Sequence, residues 1–285
     1  MGDMVYLNGE FVPAAEAKIS VFDHGFLYGD GIFETMRAYD GRIFMVSEHL
    51  DRLYSSAKEL ELNMTWSRGE LTEVLARLVS LNGDNQYIRL TVTRGPGPVG
   101  IDPRLCPEPT ITAVSKEINI NERLYREGAQ AVFVETPRNL AAAARTDIKS
   151  LNFLNNILAK QEVVSSGADE GFMLNYKGQV TEGTVSNVFM VRDQCLLTPS
   201  PACGLLEGIA RMKVMEIGCE MGWRVEETIL SRKDLLNAEE VFYTNSGSEV
   251  VPVVKLDSGR VGDGKPGKVT LELLKRYRCY ALGKA

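Results

Sequence analysis

The strand-like segments of this chain come in pairs joined by tight turns, and they do not alternate with helices. "VYLNGEFV" sets Asn8-Gly9 between apolar pairs, which predicts a two-residue type I′ hairpin. "QYIRLTVTR" alternates and is rich in β-branched residues, and "PEPTITAVSKEI" reads the same way. Farther on, "AVFVET" predicts a strand, "GFMLNYKGQVTEG" turns at Lys177-Gly178, and "SNVFMVRDQCLLTP" and "EEVFYTNSGSEVVPVVKL" are strand-rich. The helices stand apart. "SEHLDRLYSSAKELEL" has Ser47 as its expected N-cap and Leu50, Leu53, Tyr54, Ala57 and Leu60 at helical spacing. "LLEGIARMKVMEIGCEMG", closed by Gly222, and "GKVTLELLKRYRCYAL" complete the set. A doubly wound parallel sheet needs strict strand–helix alternation, so this order predicts an α+β chain. At 285 residues there is room for two medium domains, each with a core. The pattern weakens after "KEINI", which places a junction near residue 120. Residues 1–120 then form a small N-terminal domain, 121–137 a linker and 138–285 a larger C-terminal domain.

Composition excludes several classes of function. A net charge of -6 argues against a general nucleic-acid binder, which would carry a basic stripe. No stretch approaches the roughly 18 apolar residues of a membrane span. "MGDMVYLNGEF" lacks the long apolar core of a signal peptide, so a cytoplasmic location is expected. Cys106, Cys195, Cys203, Cys219 and Cys279 form no CxxC pair, and their odd number does not suit a disulfide framework. His24 and His49 are too few and too scattered for a histidine triad or a metal site, so no metal is expected.

Gly95, Gly97 and Gly100 in "TRGPGPVGIDP" fit the spacing of a dinucleotide-binding loop after a strand. Pro96 and Pro98 remove amides that would cradle a pyrophosphate. Pro103, Pro107 and Pro109 prevent the helix that this motif requires. A rigid loop is the expected reading.

The residues that carry chemistry are spread along the chain. In "RTDIKSLNFLNNILAKQEVV", Leu151, Leu154, Ile157 and Leu158 have helical spacing and Lys149 is expected at the head of that helix. The positive end of a helix disfavours an ammonium, which would lower the lysine's pKa and suit a nucleophilic amine. The plain alternative is a surface lysine with its head in water. "VTEGTVSNVFMV" puts Glu182 between a strand and a Gly-Thr turn, followed by Ser186 and Asn187. "GLLEGIAR" puts Gly208, Ile209 and Ala210 at a helix start, where free amides favour an anion. "YTNSGSEVVPV" adds Ser246 and Gly247 in a loop between strands. Arg52, two positions from Leu50, turns away from its helix's apolar stripe and by itself reads as a solvated charge.

Together, "YLNGEFV", "VFDHGFLYGDGIFETMRAYDG", "EHLDRL", "YIRLTVTRG", "DIKSLNFLNNILAKQE", "VTEGTVSNVF", "LLEGIAR", "SEVVPV" and "VGDGKPG" resemble, in order and over nearly the whole chain, the class IV aminotransferases. That family includes branched-chain amino acid aminotransferase, D-amino acid aminotransferase and aminodeoxychorismate lyase. The resemblance implies the two-domain fold-type IV architecture, D-amino acid aminotransferase-like, with a small N-terminal α/β domain and a larger mixed β/α domain. It implies pyridoxal 5′-phosphate as cofactor, held by Lys149 as a Schiff base, with Glu182 facing the pyridine nitrogen. It implies a phosphate site made by Arg52, the amides of Ile209 and Ala210, and Ser246, with Ser186 and Asn187 also in the cofactor site. Ala210 stands where the family often has Thr, and Phe153 where some branched-chain enzymes have Tyr. A homodimer, with a loop of one subunit closing the other's site, is also implied.

For the substrate, the pattern "YIR…TRG…GIDPR" resembles the branched-chain type, and the loop after "VTRG" lacks the Arg-x-His pair of D-amino acid aminotransferases. The resemblance places Tyr28, Phe33, Arg37, Tyr87, Arg89 and Gly247 around an amino acid and its oxo acid. It implies transfer from Leu, Ile or Val to 2-oxoglutarate. Thr35, where branched-chain enzymes usually have Gly, and "TNSGSE", which is similar to the lyase, depart from that type. Aminodeoxychorismate lyase and D-amino acid or (R)-amine transaminase are the alternatives.

Overall fold

The computed structural model describes residues 3–284. Met1, Gly2 and Ala285, at the ends of the two expected domains, lie outside the described residues. The chain divides into two units. The first is Met1–Asn119 with Ile148–Asn152, and the second is Ile120–Asp147 with Phe153–Ala285.

The first unit runs β1 (Met4–Leu7), β2 (Glu10–Pro13), α1 (His24–Tyr28), β3 (Gly31–Tyr39), β4 (Arg42–Ile43), α2 (Val46–Glu59), α3 (Arg68–Asn82), β5 (Gln86–Thr93) and β6 (Thr110–Glu117). Its sheet has the order β2-β1-β6-β5-β3-β4, with antiparallel pairing throughout. The first hairpin pairs Leu7 with Glu10, and Asn8 (φ 46°) and Gly9 (φ 106°) both take the positive φ that the turn requires. Ile32, Met36, Ile88, Leu90 and Val92 pack with Leu50, Leu53, Leu71, Leu75 and Leu78 into one core. Ser47 is not the N-cap of α2. Met45, at φ 53°, precedes the helix and supplies no side-chain bond. After β5 the chain forms only a short 3-10 turn, Pro103–Leu105, so no helix follows the glycine-spaced loop.

The second unit runs α4 (Glu122–Arg126), β7 (Ala129–Phe133), α5 (Ala141–Ala144), α6 (Leu154–Ser166), β8 (Glu170–Leu174), β9 (Val180–Gly183), β10 (Asn187–Arg192), β11 (Cys195–Pro199), α7 (Ile209–Glu220), β12 (Arg224–Thr228), α8 (Arg232–Leu236), β13 (Glu240–Asn245), β14 (Glu249–Leu256), β15 (Gly259–Arg260) and α9 (Lys268–Ala281). Its mixed sheet has the order β12-β11-β10-β13-β14-β7-β8-β9, with β15 on β14. The expected linker, 121–137, instead holds α4 and β7, and β7 lies inside the sheet between β14 and β8.

Helix α6 turns a different face inward from the one its leucines predict. Leu154, Ile157 and Leu158 are exposed. The buried residues are Asn156, Ala159 and Val163, with Ala159 and Val163 packed among Val134 and Met173. The Asn156 amide donates to the Thr184 carbonyl. No helix among the described residues is long and apolar enough to cross a membrane.

Candidate active site

Lys149 is not at a helix start. Helix α6 begins at Leu154, and residues 148–152 form an irregular segment that bridges to β3 through Ser150 and Ile32. They lie along the edge of β3 that β4 covers only at Ala38 and Tyr39. The Phe33 amide donates to the Lys149 carbonyl at 3.0 Å, and the Leu151 amide donates to the Gly31 carbonyl at 2.9 Å. The helix-dipole argument for a depressed lysine pKa therefore does not apply. What fixes Lys149 is strand pairing, and the close approach depends on Gly31. A Cβ there would come within 2.7 Å of the Val92 carbonyl and 2.8 Å of the Leu151 side chain. The Lys149 Nζ lies 4.6 Å from the centre of the Phe33 ring.

Arg52 is not a solvated charge either. Its Nε donates to Glu34 Oε1 and its Nη2 to Glu34 Oε2, both at 2.7 Å. Glu34 is fully buried on the same face of β3 as Ile32 and Met36. His49 Nδ1 lies 2.7 Å from Glu34 Oε2. A carboxylate can only accept there, so Nδ1 carries the proton. Burial by itself would raise the Glu34 pKa. The Arg52 charge and the hydrogen bonds from Arg52 and His49 outweigh it and bring the carboxyl down to about 2. Burial lowers the His49 pKa, and the charges of Arg52 and Lys149 add to that against the pull of Glu34, so the imidazole is neutral at neutral pH.

This pair carries a signed pH dependence. A depressed carboxyl stabilises the fold above its ordinary value of 4.5, and that contribution is lost as pH falls toward about 2. Glu34→Gln should lower stability at neutral pH by about 3–5 kcal/mol, because one partner of a buried pair is removed. The loss should shrink between pH 4.5 and 2, as read by denaturant titrations at each pH. A constant difference across that range would exclude the ionised pair as the cause.

The other face of β3 carries Phe33, Thr35 and Arg37, paired across β5 with Thr91, Arg89 and Tyr87 in that order. The Arg89 guanidinium sits 3.6 Å over the Phe33 ring, and that of Arg37 4.3 Å over Tyr39. Burial lowers the Arg89 pKa from its usual high value, and Tyr87 opposes the shift. Four of the residues expected around a substrate (Phe33, Arg37, Tyr87 and Arg89) thus share one strand pair, with Lys149 over one of their rings. Tyr28 is not on this strand pair. On α1, its hydroxyl accepts from the Gly100 amide at 3.0 Å and braces the glycine-spaced loop.

In the second unit, Glu182 on β9 is buried. Its Oε2 accepts from the Leu206 amide at 3.0 Å, and its Oε1 lies 2.7 Å from the Arg138 Nε. The Arg138 contact is an ion pair, with the Nε–H not directed at the oxygen. The Asn187 amide donates to the Leu206 carbonyl at 2.8 Å. Glu182 and Asn187 therefore clamp Leu206 from both sides and fix the approach to α7. That helix has Gly208 at its N-cap and no side-chain cap. The amides of Ile209 and Ala210 open it, so two backbone donors point outward from its first turn. Ser186 turns the other way, its hydroxyl donating to Glu170 Oε2 at 2.8 Å. Glu170 also accepts from the Thr184 hydroxyl and amide and the Gly171 amide, which shapes the β9–β10 turn. Ser246 and Gly247 form the β13–β14 turn, just beyond the register pair of Asn187 with Thr244. The Thr244 hydroxyl is buried and has no hydrogen-bond partner among the described residues.

Glu34 and His49 in the first unit support Arg52, and Arg138 and Glu170 in the second contact Glu182 and Ser186, although the residue-by-residue reading gave none of the four a role. Glu34 had a signal: alternation in "GIFETMRAY" puts it on the apolar side, and a buried acid needs partners. Arg138 follows a strand in "TPRN" and had none. The first unit offers an amine and an anchored guanidinium, and the second offers a buried acid and a helix start with outward amides. These are the groups that a phosphorylated pyridine aldehyde needs, so the residues present fit that cofactor.

Comparison with known proteins agrees. The amino-transferase class IV family pattern matches residues 31–256. A protein of Methanocaldococcus jannaschii, provisionally assigned as a branched-chain-amino-acid aminotransferase, is 42% identical over 96% of this chain and 95% of its own length. The D-alanine aminotransferase of Staphylococcus haemolyticus is 38% identical over 97% of each chain. The branched-chain aminotransferase of the thermophilic archaeon Thermoproteus uzoniensis, solved with norvaline, superposes with a TM-score of 0.92 at 31% identity, covering 99% of this chain and 95% of that one. The chain belongs to the class IV aminotransferases.

Proposed function

We propose that this transaminase moves the amino group of a branched-chain L-amino acid (Leu, Ile or Val) to 2-oxoglutarate. The observation that carries the reading is the full-length likeness to branched-chain enzymes in both sequence and fold, combined with the Phe33 wall beside Lys149. A phenyl ring offers apolar surface to an aliphatic side chain. Pyridoxal 5′-phosphate supplies an electrophilic carbonyl and an electron-accepting ring. Lys149 holds the cofactor and moves the proton at the substrate's α-carbon. Glu182 keeps the ring nitrogen protonated. Arg52 and the amides of Ile209 and Ala210 bind the phosphate with Ser246. Arg37, Tyr87, Arg89 and Gly247 orient the carboxylates, and Tyr28 closes the substrate side.

A cytoplasmic homodimer is part of this proposal. Val99 and Ile101, which are 75% and 86% exposed beside the Tyr28–Gly100 bond, are suited to docking on a second copy.

The likeness to D-alanine aminotransferases supports a second reading, D-amino acid transamination. One experiment separates the two. Excess L-leucine without an acceptor should replace the enzyme's violet absorption with a near-ultraviolet band. Failure of L-leucine, L-valine and L-isoleucine while D-alanine succeeds would establish the second reading. Pyruvate release from aminodeoxychorismate with no response to any amino acid would point to a lyase.

A further inference from the structure

The β3–β5 face beside Lys149 is not uniformly apolar. Past Phe33 it presents Thr35, whose Oγ1 lies 3.4 Å from the Tyr87 hydroxyl. Thr35 is directly opposite Arg89, and Tyr87 is opposite Arg37. Two hydroxyls and two guanidiniums therefore line one strip of the strand pair. Tyr87 is 36% exposed, and Thr35 and Arg89 are half-buried, so the strip is open to a ligand.

Its distance from the amine selects what can reach it. Side chains on one face of a strand repeat about every 7 Å. Phe33 stands at Lys149, so Thr35 stands about one such step away. In a five-carbon dicarboxylate the terminal carboxyl carbon lies about 4 Å from the α-carbon, from three successive bonds of ~1.5 Å in a zigzag, and its oxygens lie about 5 Å away, within one hydrogen bond of ~3 Å of a group about 7 Å off. A substrate whose α-carbon is at the Lys149 amine therefore brings its terminal carboxylate to the Thr35–Tyr87 pair. A branched aliphatic chain in the same place covers these hydroxyls and displaces their water without replacing the hydrogen bonds.

We propose that Thr35 is a specificity-determining residue, its hydroxyl biasing the shared pocket toward the dicarboxylic partner and against the branched aliphatic one. The inference rests on the transaminase reading and goes beyond it by giving Thr35 a role in choosing between two substrates that use one pocket. Removing the hydroxyl at constant shape should relieve the aliphatic substrate and weaken the acidic one.

The test uses the holoenzyme and half-reaction rates with L-leucine and L-glutamate. The quantity read is the ratio of kcat/KM for leucine to that for glutamate. Thr35→Val keeps the volume and loses the hydroxyl, and it should raise the ratio by roughly 2- to 10-fold, the effect of one ordinary hydrogen bond. Thr35→Ser keeps the hydroxyl and loses the methyl, and it should leave the ratio near its original value. An unchanged ratio in Thr35→Val overturns the proposal. So does an equal rise in Thr35→Ser, because volume would then be the cause. If the unaltered enzyme reacts with neither amino acid, the reading of its substrates fails first, and the inference falls with it.

Discussion

Lys149→Ala should abolish turnover, with kcat falling by on the order of 10⁴-fold, the scale for a group that moves a proton in the transition state. Borohydride should no longer fix a cofactor adduct to the chain, because Lys149 supplies the amine. The structure makes this a clean experiment. The bonds that hold residues 149–151 to β3 are made by the backbone, through the Lys149 carbonyl and the Leu151 amide. Alanine keeps both. The side-chain losses include the contact with the Phe33 ring, worth about 0.5–1 kcal/mol. Thermal unfolding should therefore shift by only a few degrees while activity disappears. A variant that retained full activity would remove Lys149 from the chemistry and the cofactor assignment with it.

How Lys149 is held was not legible from its neighbours in sequence. The helical spacing of Leu151, Leu154, Ile157 and Leu158 extends the helix back to the lysine on paper. In the structure the segment instead pairs with Gly31–Phe33, more than a hundred positions earlier, and such pairing leaves no periodic trace. The same leucine pattern gave the wrong inner face for α6, where small Ala159 and Val163 allow close packing and the bulkier leucines stay outside. The hairpin at Asn8-Gly9 and the start of α7 were readable because a local conformational demand fixes each. Strand β7 was readable from "AVFVET", but its place inside the sheet was not. "AQAVF" has only five residues, and its place depends on partners far along the chain at β14 and close by at β8. For Arg52, helical spacing gave the side away from the apolar stripe. It could not show that this side faces a buried carboxylate, because Glu34 lies on another element.

Glu182→Gln should reduce kcat by on the order of 100-fold, the scale for removing one preorganised electrostatic partner of the reacting system. Glutamine can still accept from the Leu206 amide through its oxygen, so the approach to α7 should survive. It cannot neutralise Arg138, whose side chain is 10% exposed, and breaking a buried pair costs about 3–5 kcal/mol. A fall in stability is therefore expected alongside the fall in kcat, and the two must be separated. Arg138→Met breaks the same pair but leaves the carboxylate of Glu182 in place. If ring protonation is what matters, Arg138→Met should lose comparable stability and keep most of kcat, while Glu182→Gln loses both. The cofactor's absorption should also respond to pH differently in the glutamine variant, since an amide cannot hold a proton on the ring nitrogen. Equal losses of kcat in the two variants would mean that the ion pair acts by shaping the β9 strand. An effect on KM alone would reduce Glu182 to uniform binding, with no part in drawing electrons toward the ring.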